Sequence, residues 1–321
     1  MSRINTSESS RPTLFPYKHI LLIANPASCN GRTKHLIDQI AARMKDVLLG
    51  AQSIEVVQTS YPGHALEIAC QLQNIDCVCV LGGDGIAHEV VNGLMHLSNE
   101  SRPCFAVISN GSGNDFARSL GMPHLAQACV DALMHAQETR VDLGLCNGHY
   151  YLETISFGID AAIAEQSVEL RKKTNLAGAA LYAAAGFDQL KNHRETYTVH
   201  LSVDGAPAVV AHVHLLAVQN GKTYGGGFCI APDANIADGI LDACWVDGPQ
   251  AFVPALRTFL MAKHGKHINR PGVHFLSGRT FDLVFEQTPP VQIDGEYFEG
   301  SRFSISVAPS ALRVLKVSQT A

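Results

Sequence analysis

No surplus of basic charge, no pairing pattern among the cysteines and no membrane-length apolar run mark this 321-residue chain. Its 24 Lys and Arg against 29 Asp and Glu leave a formal charge of −5. That removes the basic footprint a nucleic-acid binder normally carries, though a local basic patch would suffice for a nucleotide or lipid. The nine cysteines are odd in number and irregular in spacing. Cys77 and Cys79 share a strand face, but no second pair accompanies them to build a zinc site; free thiols in a reducing cytoplasm are the expectation. The longest run of small apolar residues, Leu176 to Phe187, has twelve members, too few for a bilayer. Residues 1–15 lack an apolar signal core and read as a disordered tail. No His-Glu-x-x-His occurs, and His212 and His214, alternating on a strand, read as a solvent-facing pair.

What is present is ordinary globular material: 46% hydrophobic and 17% charged residues, with length enough for two cores. The continuous apolar run His19–Ala24 stops at Asn25-Pro26 and predicts a buried parallel strand. Helix over about 33–49, strand 53–58, helix 65–73, strand 77–81, helix 87–97, strand 104–108 and a short helix through Arg118 follow. Strands alternating with helices imply βαβ units and a parallel, Rossmann-like sheet over residues 16–141. From about residue 142 to 321 the pattern changes to short strands separated by Gly, Asn and Asp: 150–156, 196–203, 209–219, 240–246, 280–286 and 303–307. Asp204-Gly205 and Asp294-Gly295 predict tight hairpin turns. Helices are expected over 161–190 and 249–263. This half reads as a mainly antiparallel β-sandwich, with a last strand free to pack back on the first domain. The cleft between the halves is the default ligand site.

Three loops each follow a predicted strand: Asn25-Pro-Ala-Ser28-Cys-Asn-Gly31, Gly82-Gly-Asp84-Gly85 and Asn110-Gly-Ser112-Gly-Asn114-Asp115. In a parallel sheet they fall on one edge, where glycines admit close approach and exposed N–H groups hold phosphate. Singly, each is as readily an ordinary turn; three together are harder to dismiss. There is no Gly-x-x-x-x-Gly-Lys-Ser/Thr loop, which excludes a P-loop NTPase, and Phe116 stands where a dinucleotide fingerprint needs its third glycine.

These motifs resemble the catalytic domain shared by diacylglycerol, sphingosine and ceramide kinases, closest to its soluble bacterial lipid-kinase branch. The resemblance covers roughly residues 18–316. It rests on Ile23–Ser28, Leu81–Gly85 with Glu89 and Asn92-Gly93, Gly111–Arg118, Val141-Asp-Leu-Gly144, Ser156–Gly158, Gly225–Gly227, Ala231-Pro232, Asp238-Gly239 with Leu241, and Asp294-Gly-Glu296. It implies an ATP-dependent, Mg2+-assisted kinase acting on a lipid hydroxyl such as that of diacylglycerol, cytoplasmic and transiently at the membrane surface. Nucleotide contacts are implied at Asn25, Pro26, Ala27, Ser28, Cys29, Thr59, Gly83, Asp84, Gly85, Ile86, Ala87, His88, Glu89 and Ser112. Asp84 would organise magnesium at the phosphates and Glu296 would be the general base. A second, structural metal is implied at Asn235, Asp238 and Ile240. Two positions depart from the family pattern: Cys29 replaces a glycine, and Ile86 replaces a threonine hydroxyl near the phosphates, worth roughly 1 kcal/mol.

Asp294, two residues from Glu296, competes for the base role, and Ile293–Glu296 is on pattern alone first a hairpin turn. Two other functions fit some residues. An NAD kinase-like enzyme shares the Gly-Gly-Asp-Gly loop, but Asn114-Asp-Phe-Ala-Arg118 follows the lipid-kinase version. A catalytically silent nucleotide-binding regulator would explain Cys29 and Ile86, while Asp84 and Glu296 argue for turnover. The basic run Arg171-Lys172-Lys173 ahead of Leu176–Phe187 reads first as a helix packed on the second domain, and otherwise as an anionic-membrane contact. A homodimer is compatible with the sequence.

Overall fold

The computed structural model describes residues 14–29, 31–192 and 195–318. Most of the expected N-terminal tail lies outside the described residues. Phe15, at its end, is buried, with its N–H donated to the Leu49 carbonyl.

The first domain carries β1 (His19–Ala24), a 3-10 turn at Arg32–His35, α1 (Ile37–Val47), β2 (Ser53–Gln58), α2 (His64–Cys70), β3 (Cys77–Gly82), α3 (Asp84–Leu94), β4 (Cys104–Ser109), α4 (Asp115–Ser119) and α5 (Ala126–Leu133). Its strands are parallel in the order β2-β1-β3-β4, with Ile20 opposite Cys77 and Cys77 opposite Cys104. β3 and β4 are buried at every residue, which is why they read as unbroken apolar runs: helices cover both faces of a parallel sheet. α1 buries Ile37, Ile40 and Met44, one stripe at helical spacing.

The second domain runs β5 (Gln137–Cys146), β6 (His149–Tyr151), β7 (Thr154–Gly158), α6 (Ile159–Lys173), α7 (Gly178–Asn192), β8 (Tyr197–Val203), β9 (Val209–Gln219), β10 (Thr223–Tyr224), β11 (Phe228–Cys229), β12 (Leu241–Asp247), α8 (Phe252–Ala262), β13 (Val273–Gly278), β14 (Thr280–Phe285), β15 (Val291–Ile293), β16 (Glu296–Phe298) and β17 (Arg302–Lys316). Its strand pairs are antiparallel, as an antiparallel β-sandwich requires. α6, α7 and α8 close a separate apolar cluster with Tyr182, Tyr224 and Phe228.

β17 ties the two halves together. It pairs antiparallel with β14 and β5, and its far end pairs parallel with β4 through Val314 opposite Phe105. The last strand thus returns to the first domain, and one hydrogen-bonded sheet runs through both. That continuity sets the loops at the ends of β1, β3 and β4 against the second domain.

Several elements differ from expectation. The helix expected over 161–190 is two helices, parted by an extended Thr174 and by Gly178 at φ +54°. The strand expected over 150–156 is broken at Leu152-Glu153, between β6 and β7. α3 starts at Asp84 and not at Ala87, so half of the expected loop is a helix's first turn. α5 was not anticipated. His212 and His214 do not form a solvent-facing pair: His214 is buried, with its ring Nδ1 3.0 Å from the Glu195 carbonyl.

Candidate functional site

β1, β3 and β4 deliver their following loops to one edge, and the loops pack there backbone on backbone. A Cβ on Gly111 would fall 2.2 Å from the Gly83 Cα, so only glycine fits this crossing. The N-terminus of α3 and the short α4 open onto the same space. A cavity of about 420 Å³ lies between this edge and the second domain.

Of the anticipated nucleotide residues, Asn25, Ala27, Ser28, Cys29, Gly83, Asp84, Gly85, Ile86 and Ser112 line the cavity. Pro26, Thr59, Ala87, His88 and Glu89 do not. Thr59 follows β2, its N–H donated to the Ala24 carbonyl. Glu89 accepts from the N–H groups of Gly63 (3.0 Å) and Ala65 (3.2 Å), so it caps the start of α2. Cys29 takes the backbone a glycine would favour, φ +53°, and its Sγ lies 3.4 Å from the Asn110 carbonyl. Ile86 is buried, and a Cβ on Gly82 would fall 2.6 Å from its Cγ2; its side chain joins the core beneath the loop.

Asp84, at the start of α3, accepts the Phe116 N–H on Oδ1 at 3.1 Å, and its Oδ2 borders Gly113, whose Cβ would come within 2.7 Å. Burial first, and then repulsion from Asp115, push this carboxyl up to about 7; the Phe116 N–H opposes the rise. Asp115, absent from the sequence-derived site, accepts from Arg118 Nη1 (2.5 Å), Thr223 Oγ1 (2.9 Å) and the Gly226 N–H (2.8 Å). It therefore ties loop three to the glycine run of the second domain.

Asp294 and Glu296 sit on the β15–β16 hairpin, where Asp294 (φ +48°) and Gly295 (φ +92°) form the two-residue turn and Ile293 pairs with Glu296. The two acids have different surroundings. Asp294 accepts from the N–H groups of Leu152 (2.7 Å), Glu153 (3.0 Å) and Thr154 (3.1 Å), and its Oδ2 is 3.0 Å from His88 Nδ1. It is a clasp joining α3, the β6–β7 connection and the hairpin. Burial pulls the His88 imidazole down, but Asp294, Glu296 and Glu89 outweigh it, and the net shift is upward. Glu296 is exposed and lines the cavity, its Oε1 3.5 Å from where a Cβ on Gly85 would stand. An acid from the second domain thus faces the first turn of α3.

Two further cavity residues escaped the sequence reading. Glu153 is buried, neither of its carboxylate oxygens has a hydrogen-bond partner, and burial drives it well above the usual carboxylate range. No motif pointed to it. Arg171, near the end of α6, is the one Lys or Arg among the described residues lining the cavity; the basic run around it was its signal. Facing it are Asp84, Asp115, Glu153, Asp294 and Glu296. The ionised carboxylates on this wall repel a bare triphosphate. Among the described residues no three His, Cys, Asp or Glu side chains are grouped to hold an ion unaided, so a divalent cation would have to share phosphate oxygens. The Asp84 carboxylate, bordering the cavity at the start of α3, fits that role.

Asn235, Asp238 and Ile240 lie apart, in the loop before β12. Asn235 Oδ1 accepts from the Ala237 N–H (3.2 Å) and Asp238 Oδ1 from the Ile240 N–H (3.1 Å). Asp142 holds the same loop through the Gly239 N–H (2.7 Å) and reaches Ser310 on β17 (2.6 Å). Carboxylate, amide and carbonyl oxygens suit a hard cation, and the loop also closes on its own hydrogen bonds.

Comparison with known proteins agrees with this arrangement. Residues 19–146 match the diacylglycerol kinase catalytic domain, and residues 153–316 the YegS C-terminal NAD kinase beta sandwich-like domain. A "Diacylglycerol kinase" of Bacillus subtilis (strain 168) is 27% identical over 283 residues, 87% of this chain and 90% of that protein. A "Probable lipid kinase YegS-like" of Pseudomonas aeruginosa PAO1 is 32% identical over 239 residues, 73% of this chain and 74% of that one. The fold is that of a diacylglycerol kinase crystal structure from Bacillus anthracis str. Sterne, with TM-score 0.73 and 21% identity over 94% of this chain and 97% of that one. An NAD kinase from Archaeoglobus fulgidus in complex with ATP is a more distant fold neighbour, with TM-score 0.52 and 13% identity over 94% of both chains. With both family matches in chain order and the catalytic-domain loops gathered on one cavity, the protein belongs to the diacylglycerol kinase catalytic-domain family, in its YegS-like lipid kinase branch.

Proposed function

We propose that the protein transfers the γ-phosphoryl group of ATP to the hydroxyl of a membrane lipid, diacylglycerol or a similar alcohol, with Glu296 as general base. The observation that carries this reading is the placement of the Glu296 carboxylate across the cavity from the backbone at Gly85.

Phosphoryl transfer asks for positioning, charge neutralisation and a route for the proton. The N–H groups of Gly83, Asp84, Gly85 and Ile86 at the start of α3, with those of Cys29 and Ser112, would hold the nucleotide phosphates at the sheet edge, while Asn25, Ala27 and Ser28 line the same space. Arg171 would face the transferred group from the other domain. Asp84 would hold magnesium, whose charge would offset that of the phosphates when bound. Glu296 would take the proton of the lipid hydroxyl as its oxygen forms the new P–O bond and ADP leaves. Asp294 is unsuited to that step because its oxygens are occupied by three backbone N–H groups and His88; it positions the hairpin. A structural cation at Asn235, Asp238 and Ile240 would stiffen the loop before β12 and take no part in transfer. The enzyme would work from the cytoplasmic water phase, meeting the bilayer transiently.

The test is incubation of purified protein with labelled ATP, magnesium and a total lipid extract. One labelled phospholipid is expected, absent with Asp84→Asn and reduced about 10²–10⁴-fold with Glu296→Gln. Labelled NADP from added NAD without lipid product would replace this reading with an NAD kinase. Nucleotide binding with no turnover across a wide lipid panel would replace it with a silent regulator.

A further inference from the structure

The acid-free stretch from Gly248 to Phe281 carries Arg257, Lys263, Lys266, Arg270 and Arg279 and no Asp or Glu. The whole chain has 24 basic and 29 acidic residues; removing these five cations leaves 19 against 29, so the remainder bears −10. Along the sequence, the stretch that contains α8 is therefore the basic one.

α8 is apolar on both sides. Its inner residues Phe252, Ala255, Leu256, Phe259 and Ala262 join the cluster beneath it. On its outer side Val253 is 72% and Leu260 55% exposed, with the exposed Arg257 between them at i+4 and i+7 spacing. The patch continues onto α7 through Phe187, half exposed and in edge contact with Phe252 at 5.6 Å. Beyond the C-terminus of α8 come exposed Lys263, Lys266 and Ile268. The nearby acid Asp188 is engaged by Gln166 and Asn192. No ion pair among the described residues engages Arg257, Lys263 or Lys266.

We propose that the outer face of α8, with Phe187 of α7, is a docking surface for an anionic lipid bilayer: Val253, Leu260 and Phe187 enter the headgroup boundary while Arg257, Lys263 and Lys266 meet lipid phosphates. Interdigitated apolar and basic side chains on one helix face, without acids, are what interfacial binding requires. Burial in a protein core would not place cations between the apolar residues. From the proposed kinase activity this takes only that the acceptor resides in a bilayer.

The experiment is vesicle co-sedimentation without nucleotide, so that it stands or falls separately from turnover. Vesicles are phosphatidylcholine alone or phosphatidylcholine with phosphatidylglycerol. Wild-type protein is expected to sediment with the anionic vesicles, less as salt is raised. Val253→Asp with Leu260→Asp, and separately Arg257→Glu with Lys263→Glu, should each weaken binding at least about tenfold, since each basic residue near an anionic surface matters by several-fold. All are exposed, so unchanged thermal melting is expected; Leu125→Asp, on an exposed site of the first domain, is the control and should bind as wild type. Wild-type binding equal to that of the α8 variants overturns the proposal, as does absence of anionic-vesicle binding. A wild-type dimer that the Val253/Leu260 variant converts to monomer, with vesicle binding unaffected, would assign the face to a second copy of this chain instead.

Discussion

Replacing Asp294 by Ala should loosen the joint between the two domains, and the cost can be worked from its partners. Three backbone N–H groups, those of buried Leu152, Glu153 and Thr154 at the cavity wall, would lose their acceptor, and His88 would lose its counter-charge. Each orphaned donor costs about 1–3 kcal/mol, less where cavity water can reach it. Alanine at φ +48° adds about 1 kcal/mol of left-handed strain. A net loss on the order of 3–5 kcal/mol follows, in the range seen when one partner of a buried charge network is removed. Asp294→Asn keeps one acceptor oxygen and tolerates the left-handed backbone, so about 1–2 kcal/mol is expected. The chain has a single tryptophan, Trp245, on β12 of the second domain, and its fluorescence in urea gives the unfolding midpoint. The raised affinity of His88 adds a pH signature: its stabilisation is complete below the unfolded histidine value near 6.5 and is lost as pH rises through the higher folded value. The Ala variant should therefore differ most from wild type at acid pH. An Ala variant within about 1 kcal/mol of wild type, or no worse than Asn, would refute the clasp.

Asp84→Asn should abolish transfer yet stabilise the ligand-free protein at pH 8. A carboxyl with folded value near 7 against 3.8 unfolded favours the fold below the lower value and loses that contribution as pH rises through 7. The gain should be on the order of 2–4 kcal/mol at pH 8 and vanish near pH 4, read by urea titration at both. Arg171→Ala should lower turnover about 10–10³-fold with little change in melting temperature, since Arg171 is exposed and its loss removes only the cavity's cation; unchanged kinetics would exclude it from the phosphate site. Alkylation of the partly exposed Cys29 should block nucleotide binding, be slowed by magnesium-ATP, and be absent in Cys29→Gly, whose backbone suits φ +53°. Mass spectrometry of the modified peptide checks this.

Local pattern alone carried much of the first domain. β1, β3 and β4 are continuous apolar runs because both sheet faces are covered, and the glycine-rich loops follow because the backbone must turn at the edge. The break between α6 and α7 was illegible, since an apolar alanine-rich stretch is as good a helix through Gly178 as around it. The start of α3 was also missed: Gly85 has poor helix propensity, and what fixes the helix there is the packing of Ile86 and Ala87 into the core. The distinction between Asp294 and Glu296 could not be read from spacing. Both lie on one hairpin, and only the approach of the β6–β7 connection and α3 occupies the first acid and leaves the second facing the cavity. Glu153 and Arg171 reach that cavity only because β17 pairs with both β4 and β5 and so fixes one domain against the other. Sequence by itself determined which residues can turn, bury or bind phosphate; the long-range strand pairing decided which charges meet, because a side chain's partners across the cavity are set by sheet continuity and not by neighbours along the chain.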